Sequence, residues 1–228
     1  MEMNNKTVLI TGGSSGIGEA LVHSLLKRQN KVIVCCRNEV KNIDHDAGER
    51  LYYFKCDLRE KTNVLDVFEK LKQSSLIPDV LINNAGIIDI FNAQKGKINY
   101  EEMQDVVTVN LLAPILLTHC FVNLLSPDTN ACIINVGSQT AFSPNASFLT
   151  YSASKAGLHS FSISVRKQLE SSKVKVFEVM PPRVDTPMSR MVALYSGGKN
   201  GMPIIEPKDC AEKILEAVEA DIYEFIIQ

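Results

Sequence analysis

The stretch Thr11-Gly12-Gly13-Ser14-Ser15-Gly16-Ile17-Gly18 decides the fold of this chain. It follows an apolar run, Thr7 to Thr11, and leads into an amphipathic stretch that predicts a helix from Gly16 to Gln29. A glycine-rich turn at such a junction lets the backbone approach a pyrophosphate, and the free N–H groups of the helix attract its negative charge. The alternative is a tight turn that binds no ligand. The strand before and the helix after favour a dinucleotide-binding loop.

Apolar runs and helical stretches alternate along the rest of the chain. The further predicted strands are Lys31 to Cys36, Leu51 to Cys56, Val80 to Asn83, Cys132 to Val136, Val174 to Val179 and Tyr223 to Ile227. The further predicted helices are Thr62 to Ser74, Tyr100 to Leu124, Thr150 to Ser171 and Pro207 to Ala220. The strands are mostly apolar throughout, as buried parallel strands are. This order predicts a Rossmann-type α/β fold, a doubly wound parallel sheet of about seven strands with helices on both faces.

The length of 228 residues predicts one domain, residues 1–228, because about 150 residues per domain is the usual scale. Two segments interrupt the regular order. Residues 38–50 leave room between the second and third strands for a helix of only one or two turns. Residues 181–203 contain four prolines and three glycines, a composition that predicts a mobile flap over a site.

Composition excludes several classes of function. A net charge of -2 offers no basic patch, so we expect no nucleic-acid partner. Six cysteines without Cys-x2-Cys spacing predict free thiols in a reducing compartment and no metal site. The N-terminus lacks the features of a secretion signal, and no uninterrupted apolar run approaches the length of a membrane span. We therefore expect a cytoplasmic protein that does not bind a membrane.

The end of the second strand predicts which dinucleotide the loop binds. In NAD-specific folds of this type, an acidic residue about 20 positions beyond the glycines binds the ribose 2′-hydroxyl. Here the strand ends Cys35-Cys36-Arg37, so no carboxylate repels a phosphate and Arg37 can pair with one. The alternative is that Arg37 is an ordinary solvated surface charge. We predict a preference for NADP(H) over NAD(H).

Two further segments end strands at the same edge of the sheet. Asn83-Asn84-Ala85-Gly86 ends the fourth strand with small residues, against which the adenosine ribose can lie; a polar turn is the alternative. Asp57 follows the third strand. It is a candidate acceptor for the adenine amino group, and the alternative is an N-cap for the next helix.

Tyr151 and Lys155 are the candidate catalytic pair. The spacing alone is not specific, because Tyr195 and Lys199 also match it. Gly197 and Gly198 make a helix between the second pair unfavourable, whereas Tyr151 begins a helical pattern that places its side chain and that of Lys155 on one face.

A tyrosine with an ordinary pKa near 10 is a poor general base unless a neighbouring cation favours the phenolate. Lys155 would supply that charge. Ser138 ends the fifth strand and is a candidate donor to a substrate oxygen, or else a turn serine. Asn110 precedes Pro114, which cannot donate to the Asn110 carbonyl and so opens the helix for a water; otherwise Asn110 is a helix-surface amide.

Together these residues resemble the short-chain dehydrogenase/reductase family, in its compact single-domain branch. Thr11 to Gly18 is similar to the family's Thr-Gly-x3-Gly-x-Gly motif, and Asn83 to Gly86 to its Asn-Asn-Ala-Gly. Asn110, Ser138 and the Tyr151/Lys155 pair match the helix asparagine, the serine and the Tyr-x3-Lys motif. The segments 158–169 and 180–186 are most similar to bacterial oxidoreductases of the DltE type.

The resemblance implies a role for each residue. Tyr151 would exchange a proton with the substrate oxygen while hydride moves to or from the nicotinamide, and Lys155 would bind the nicotinamide ribose and lower the tyrosine pKa. Ser138 would hold the substrate oxygen and Asn110 a water of the proton relay. The implied cofactor contacts also include the adenine-side residues Asp57 and Leu58 and the carboxamide-side residues Val184 and Thr186.

One residue departs from the family pattern. Pro182 stands where the family commonly has glycine. A proline has no backbone N–H, so any cofactor contact through the N–H at this position is lost. The resemblance implies an oxidoreductase acting on a small-molecule carbonyl or secondary alcohol, assembled as a homodimer or homotetramer, and Arg37 makes NADP(H) its expected cofactor. The alternative is a sensor or scaffold protein that binds NADP(H) without turnover.

Overall fold

The computed structural model describes residues 1–40, 49–74, 76–90, 99–126, 128–195 and 204–228. The strands are β1 (Thr7–Thr11), β2 (Lys31–Cys36), β3 (Leu51–Lys55), β4 (Val80–Asn83), β5 (Ala131–Val136), β6 (Val174–Met180) and β7 (Glu224–Ile226). The α-helices are α1 (Gly16–Lys27), α2 (Lys61–Gln73), α3 (Tyr100–Val107), α4 (Ala113–Leu124), α5 (Leu149–Gln168), α6 (Pro187–Tyr195) and α7 (Pro207–Glu219).

The strands form one parallel sheet in the order β3-β2-β1-β4-β5-β6-β7. The order reverses between β1 and β4, and ligands of doubly wound sheets bind at such a switch point, beyond the carboxyl ends of the strands. The predicted Rossmann-type fold is confirmed. The strands predicted at Thr7–Thr11, Lys31–Cys36 and Val80–Asn83 have the predicted bounds.

The sheet is covered on both faces, which explains why its inner strands are apolar throughout. Val8, Ile10 and Val32 belong to one apolar cluster, which α1 and α7 cover. Leu9 and Ile33 belong to the other, with residues of α2 and α4. Because successive side chains of a strand point to opposite faces, this alternation follows directly from two-sided burial.

Two regions differ from the sequence-based prediction. The predicted helix from Tyr100 to Leu124 is continuous but contains a π-helical turn, Thr108–Leu112, between α3 and α4. The predicted flap contains a regular helix, α6. Its remaining part, 196–203, lies outside the described residues, as do residues 41–48 of the predicted short crossover helix and Lys199 of the second Tyr-x3-Lys match.

Within the described part of the chain, one helical stretch has the length and composition of a membrane span. Tyr100–Leu124 covers 25 residues with a mean hydropathy of 1.7 in its most apolar window, and 44% of that window is buried. Core helices of soluble proteins have the same composition. Val106, Leu117 and Phe121 of this stretch are buried in the protein, so it is part of the layer that covers the sheet.

Candidate functional site

A cavity of about 670 Å³ opens at the carboxyl edge of the sheet. The loops that follow β1, β2, β3, β4, β5 and β6 all contribute to its walls. Every cofactor-binding and catalytic candidate from the sequence lines this cavity except Asn110, which is buried beneath it. The fold therefore brings together residues that lie up to 174 positions apart, from Gly12 to Thr186.

The glycine loop packs so tightly against the loop after β4 that side chains are excluded. Gly12 has φ +69°, and a Cβ there would lie 2.8 Å from the Ala85 Cα atom. A Cβ on Gly18 would overlap the Gly12 carbonyl oxygen and the Asn84 amide nitrogen. Asn84 Nδ2 donates to the carbonyls of Thr11 (2.9 Å) and Gly12 (3.2 Å). The Asn84 side chain thus holds the glycine loop in place, and the backbone of that loop lines the cavity.

The adenine end of the cavity carries two arginines. Arg37 is exposed on the cavity wall and forms no ion pair with any residue in the described ranges. Arg59 pairs with Asp57, Nη2 to Oδ2 at 2.6 Å, and with Asp105 at 3.1 Å. The hydrogen bond from Arg59 is the main reason that the pKa of Asp57 is lowered. The N-cap of α2 is Glu60, so the interpretation of Asp57 as its N-cap is wrong.

Neutral thiols occupy the ends of β2 and β3. Burial raises the pKa of Cys35, Cys36 and Cys56, the last to about 11. All three line the cavity as free cysteines. At neutral pH they carry no negative charge, and the Asp57 carboxylate is compensated by Arg59. This end of the cavity is therefore suited to an anionic group.

Asn110 connects the long helix to the loop after β4. It lies in the π-helical turn and is 1% exposed, so the alternative of a helix-surface amide is wrong. Its Oδ1 accepts from the Ile87 N–H at 2.9 Å, and its Nδ2 donates to the Ile87 carbonyl at 2.8 Å. Nδ2 also donates to Ser154 Oγ at 3.1 Å. A π-helical turn contains one residue more than an α-helical turn. Asn110 lies in this turn, and Pro114 follows at the start of α4.

Ser138 presents a hydroxyl whose own proton is available. It accepts hydrogen bonds from the Thr140 backbone N–H (3.2 Å) and from the Thr140 hydroxyl (2.9 Å). Ser138 therefore caps the 3-10 turn Gln139–Ala141, as the turn-serine interpretation anticipated. Two accepted bonds leave the hydroxyl proton to donate into the cavity, where the Ser138 hydroxyl lowers the pKa of Tyr151.

Tyr151 and Lys155 lie one turn apart on α5, as predicted. Lys155 Nζ lies 5.8 Å from the centre of the Tyr151 ring and donates to the Val136 carbonyl at 2.8 Å. Burial raises the pKa of Tyr151, and the hydrogen bond with Ser138 opposes the rise. Burial also lowers the pKa of Lys155 to about 8. A lysine with this pKa is still mostly protonated at pH 7, so the lowering of the tyrosine pKa by Lys155 stays a prediction.

A buried carboxylate that the sequence analysis missed holds the start of α5. Asp89 is 2% exposed, and its Oδ1 accepts from the Tyr151 backbone N–H at 3.2 Å. The N-cap residue of α5 is Phe148, which has no side-chain oxygen, so Asp89 satisfies a free N–H from another part of the chain. A carboxylate at this end is also favoured by the helix dipole.

The segment after β6 forms one wall of the cavity. Val184 is 4% exposed and forms a parallel bridge with Ile205. Thr186 caps α6, with its Oγ1 accepting from the Ser189 N–H at 3.2 Å, and Pro187 occupies the first helical position. A threonine N-cap followed by proline is a helix-start signal. That signal could have identified α6 from sequence.

Further residues line the cavity between Ser138 and Tyr151 and after β6. Sequence reasoning did not assign Gln139, Thr140, Ser143, Pro144, Asn145 and Phe148 to the site, whereas Pro182, Arg183, Met188, Ser189 and Val192 belong to the segment 181–203 that was predicted to lie over a site. The first six belong to no motif with defined spacing, so only the fold identifies them.

The cavity fits a nicotinamide dinucleotide. The N-terminus of α1 opens into it at Ser15 and Gly16, and the surrounding glycines leave a cradle that a Cβ would fill. Exposed backbone N–H groups at a helix N-terminus bind a pyrophosphate. The candidates for this end are Gly12, Ser14, Ser15, Gly16, Ile17 and Gly18, with Arg37, Asp57, Leu58, Asn84, Ala85 and Gly86 beside them. Lys155, Val184 and Thr186 also line the cavity, with Thr186 beside Gly16 and Lys155 beside Gly86.

Comparisons with known proteins identify the family of this chain. The profile of the short chain dehydrogenase family matches residues 6–194. The uncharacterized oxidoreductase DltE of Bacillus subtilis is 37% identical over 191 residues, covering 83% of this chain and 76% of that protein. The resemblance to DltE-type members of the family is confirmed.

Solved structures share the fold. A short chain dehydrogenase of Burkholderia cenocepacia in complex with NADP matches with a TM-score of 0.85 and 25% identity, covering 100% of this chain and 90% of that one. A 4-hydroxyisoleucine dehydrogenase complexed with NADH matches with a TM-score of 0.86 and 24% identity, covering 98% and 97%. The two structures hold different cofactors, so the shared fold does not select between NAD and NADP.

Proposed function

The chain belongs to the short chain dehydrogenase family, and on that premise we propose that it is an NADP(H)-dependent oxidoreductase of a carbonyl or secondary alcohol. The observation that carries the proposal is the convergence of three side chains at one wall of the cavity. The Ser138 hydroxyl is near enough to Tyr151 to lower its pKa, and Lys155 lies one turn beyond Tyr151, with its Nζ 5.8 Å from the centre of the ring. A phenol, a hydroxyl donor and a buried ammonium at one point are a set suited to proton transfer at an oxygen.

Each of these residues has a distinct task in the proposed reaction. The nicotinamide, when bound, supplies or accepts the hydride. The Tyr151 hydroxyl gives a proton to the substrate oxygen in reduction and takes it back in oxidation, and Ser138 donates a hydrogen bond to the same oxygen. Lys155 binds the cofactor's ribose and supplies positive charge beside the phenol. Asn110, fixed by its bonds to Ile87, holds a water behind Lys155 for the proton relay.

The test is turnover of a panel of ketones and aldehydes with NADPH, followed at 340 nm in the wild type and in Tyr151→Phe. We expect kcat to fall by about 100- to 10,000-fold, the usual contribution of general acid-base catalysis, while cofactor affinity measured by calorimetry stays within a few fold. Tyr100→Phe is the matched control, because Tyr100 is 66% exposed. Turnover retained in Tyr151→Phe overturns the proposal. Cofactor binding without turnover across the panel would favour the sensor or scaffold.

The proposed preference for NADP(H) rests on the charges at the adenine end. Arg37 is unpaired among the described residues, the Asp57 charge is compensated by Arg59, and the three thiols are neutral. A guanidinium binds a phosphate through two parallel hydrogen bonds. Equal wild-type values of kcat/KM for NADPH and NADH would contradict this preference.

The lining of the other end supports an apolar substrate. Phe148, Pro144, Pro182, Met188 and Val192 line the cavity beyond Ser138. A homologous series of methyl ketones tests this proposal, because each buried methylene contributes about 0.8 kcal/mol, or about fourfold in kcat/KM. A flat or falling series would contradict it.

A homodimer or homotetramer and a cytoplasmic location complete the proposal. Exposed apolar side chains on the helices around the site, such as Leu112 (52%) and Leu149 (40%), favour a second copy as their cover. Light scattering of the wild type and of Leu112→Asp tests the assembly, and a monomeric wild type would contradict it. The six free thiols suit the reducing cytoplasm.

A further inference from the structure

A carboxylate lies buried in β6, behind the catalytic residues. Glu178 is 0% exposed, and its Oε2 lies 2.8 Å from His159 Nδ1. Its Oε1 has no hydrogen-bond partner among the described residues. A buried carboxylate is destabilising unless hydrogen bonds and an opposite charge compensate it. An acidic residue in an inner strand therefore requires an explanation from what surrounds it.

Glu178 lies between the two elements that carry the catalytic residues. A Cβ on Gly137 would be 2.8 Å from Oε1, so the carboxylate packs directly against the turn that leads to Ser138. The residue on the other side of Gly137 is Val136, whose carbonyl accepts from Lys155 Nζ at 2.8 Å. His159 follows Lys155 by one turn on α5. Glu178 thus contacts both the end of β5 and the catalytic helix.

The charged groups around Glu178 come from two elements. Helix α5 contributes Lys155, His159 and Arg166, and β7 contributes Glu224, while the β5 residues beside it are uncharged. Burial raises the pKa of Glu178, and the hydrogen bond with His159 opposes that rise. Burial lowers the pKa of Lys155, and the charge of Glu178 opposes that change. Glu178 therefore supports the charged form of Lys155.

We propose that Glu178, held by His159, is a positioning residue that keeps Lys155 in the ammonium form beside Tyr151 and fixes the Gly137–Ser138 turn against α5. The proposal rests on the proposed function, in which Lys155 acts together with Tyr151. Glu178 acts through Lys155 and does not touch the reacting atoms. His159 acts one step further back, because its hydrogen bond holds Glu178 as a carboxylate.

The direct test measures the charge of Lys155 without any need for turnover. The full chain is labelled with 13C-lysine, the Lys155 signal is assigned by its loss in Lys155→Met, and its titration is followed by NMR. Opposite charges at close range shift a pKa by about one unit or more, so we expect the Lys155 midpoint to fall by about one pH unit in Glu178→Gln. Glu224→Gln is the matched control, because Glu224 is the register partner of Glu178 on β7 and is exposed. The Lys155 midpoint in Glu224→Gln should equal that in the wild type.

His159→Phe is the second variant, which keeps the proposal testable if Glu178→Gln does not fold. It removes the donor to Oε2, and loss of that hydrogen bond raises the pKa of Glu178 further, so we expect the Lys155 midpoint to fall in the same direction. Adding Glu178→Gln to His159→Phe should then produce a smaller further shift than Glu178→Gln produces alone. An unchanged midpoint in a folded Glu178→Gln or His159→Phe protein overturns the proposal, as does an equal shift in Glu224→Gln.

The rate of carbonyl reduction provides a second readout. Reduction needs a protonated Tyr151 beside a protonated Lys155. Of the two groups, Lys155 loses its proton at the lower pH, and loss of the Glu178 charge lowers that pH further. We expect the alkaline limb of the pH–rate profile to move down by about one unit in Glu178→Gln. A merely structural role would lower the plateau without moving the limb. If Tyr151→Phe retains turnover, the proposed function fails, yet the NMR titration still decides the charge of Lys155.

Discussion

The two ends of the cavity are built on different principles. At the glycine-loop end, the backbone of the loop forms the wall, and the Asn84 side chain holds that backbone by donating to the carbonyls of Thr11 and Gly12. At the catalytic end, the walls are individual polar side chains, and Lys155 and Tyr151 depend on groups from distant strands. The glycine-loop end depends on the absence of side chains at its glycines, whereas the catalytic end depends on the protonation and charge of individual side chains. Adding a side chain should therefore impair the glycine-loop end, and removing a side chain should impair the catalytic end.

The largest effect is expected from an added side chain at Gly12. Gly12→Val must adopt φ +69°, which costs about 1–2 kcal/mol. Its Cβ also meets the Ala85 Cα at 2.8 Å, which costs about 1–3 kcal/mol more. We expect affinity for NADPH in calorimetry to fall about several hundredfold.

Gly86→Ala is the comparison for Gly12→Val. Its added carbon would lie 3.5 Å from Asn110 Oδ1, an ordinary contact, so its loss of affinity should be much smaller. Similar losses in the two variants would mean that close packing does not define this end of the cavity.

The next largest effect is expected from truncating the Asn110 side chain. Asn110→Ala removes three hydrogen bonds and leaves both backbone groups of Ile87 without their partner. We expect the free energy of unfolding, measured with urea, to fall by about 2–3 kcal/mol. Asn123→Ala on the same helix removes one exposed bond to the His119 carbonyl and should change it by less than about 0.5 kcal/mol. Equal effects would show that Asn110 does not hold the loop after β4.

A third effect concerns the buried charge of Lys155. Its pKa is about 8 in the folded protein and about 10.5 unfolded. The unfolded chain therefore binds more protons between these values, and stability rises with pH. Between pH 7.5 and 9.5, the wild type should gain about 2 kcal/mol in unfolding free energy relative to Lys155→Met. A constant difference between the two proteins would contradict the lowered pKa.

The smallest effect is expected at Arg37, which is exposed and therefore screened by solvent. Arg37→Asp should lower the ratio of kcat/KM for NADPH over NADH by about tenfold, because one charge-assisted pair contributes about 1.5–3 kcal/mol and exposure reduces it. Lys31→Asp makes a comparable change of charge at the other end of β2 and should leave the ratio unchanged. An unaltered ratio in Arg37→Asp would assign the preference to another residue, with Arg59 the first candidate.

The parts of the fold that were predictable are those in which local pattern and burial agree. Thr7–Thr11 and Lys31–Cys36 are buried on both faces, so their apolar runs identified them directly. The helix α6 was missed because the prolines and glycines of 181–203 were interpreted as a flap. Its start signal, Thr186 followed by Pro187, is local and was available.

The candidate site was predictable only where the local sequence marks a residue. Ser138 met that condition at the end of a strand, and Tyr151 and Lys155 met it through their spacing within a helical pattern. Asp89 did not, because it meets the Tyr151 N–H across 62 positions, and neither residue's neighbours indicate the contact. Glu178 is a similar case: nothing near it in the chain distinguishes a buried carboxylate from a polar residue on an exposed strand face.

The amino-acid sequence by itself determined the parallel sheet, the glycine loop and the choice of candidate catalytic side chains, because periodicity and motif spacing are properties of neighbouring residues. The tertiary structure alone decided how those side chains are charged. Burial lowers the pKa of Lys155, Arg59 neutralises Asp57, and Glu178 lies between β5 and α5. Desolvation and Coulomb energies depend on distances through space, and the fold sets those distances.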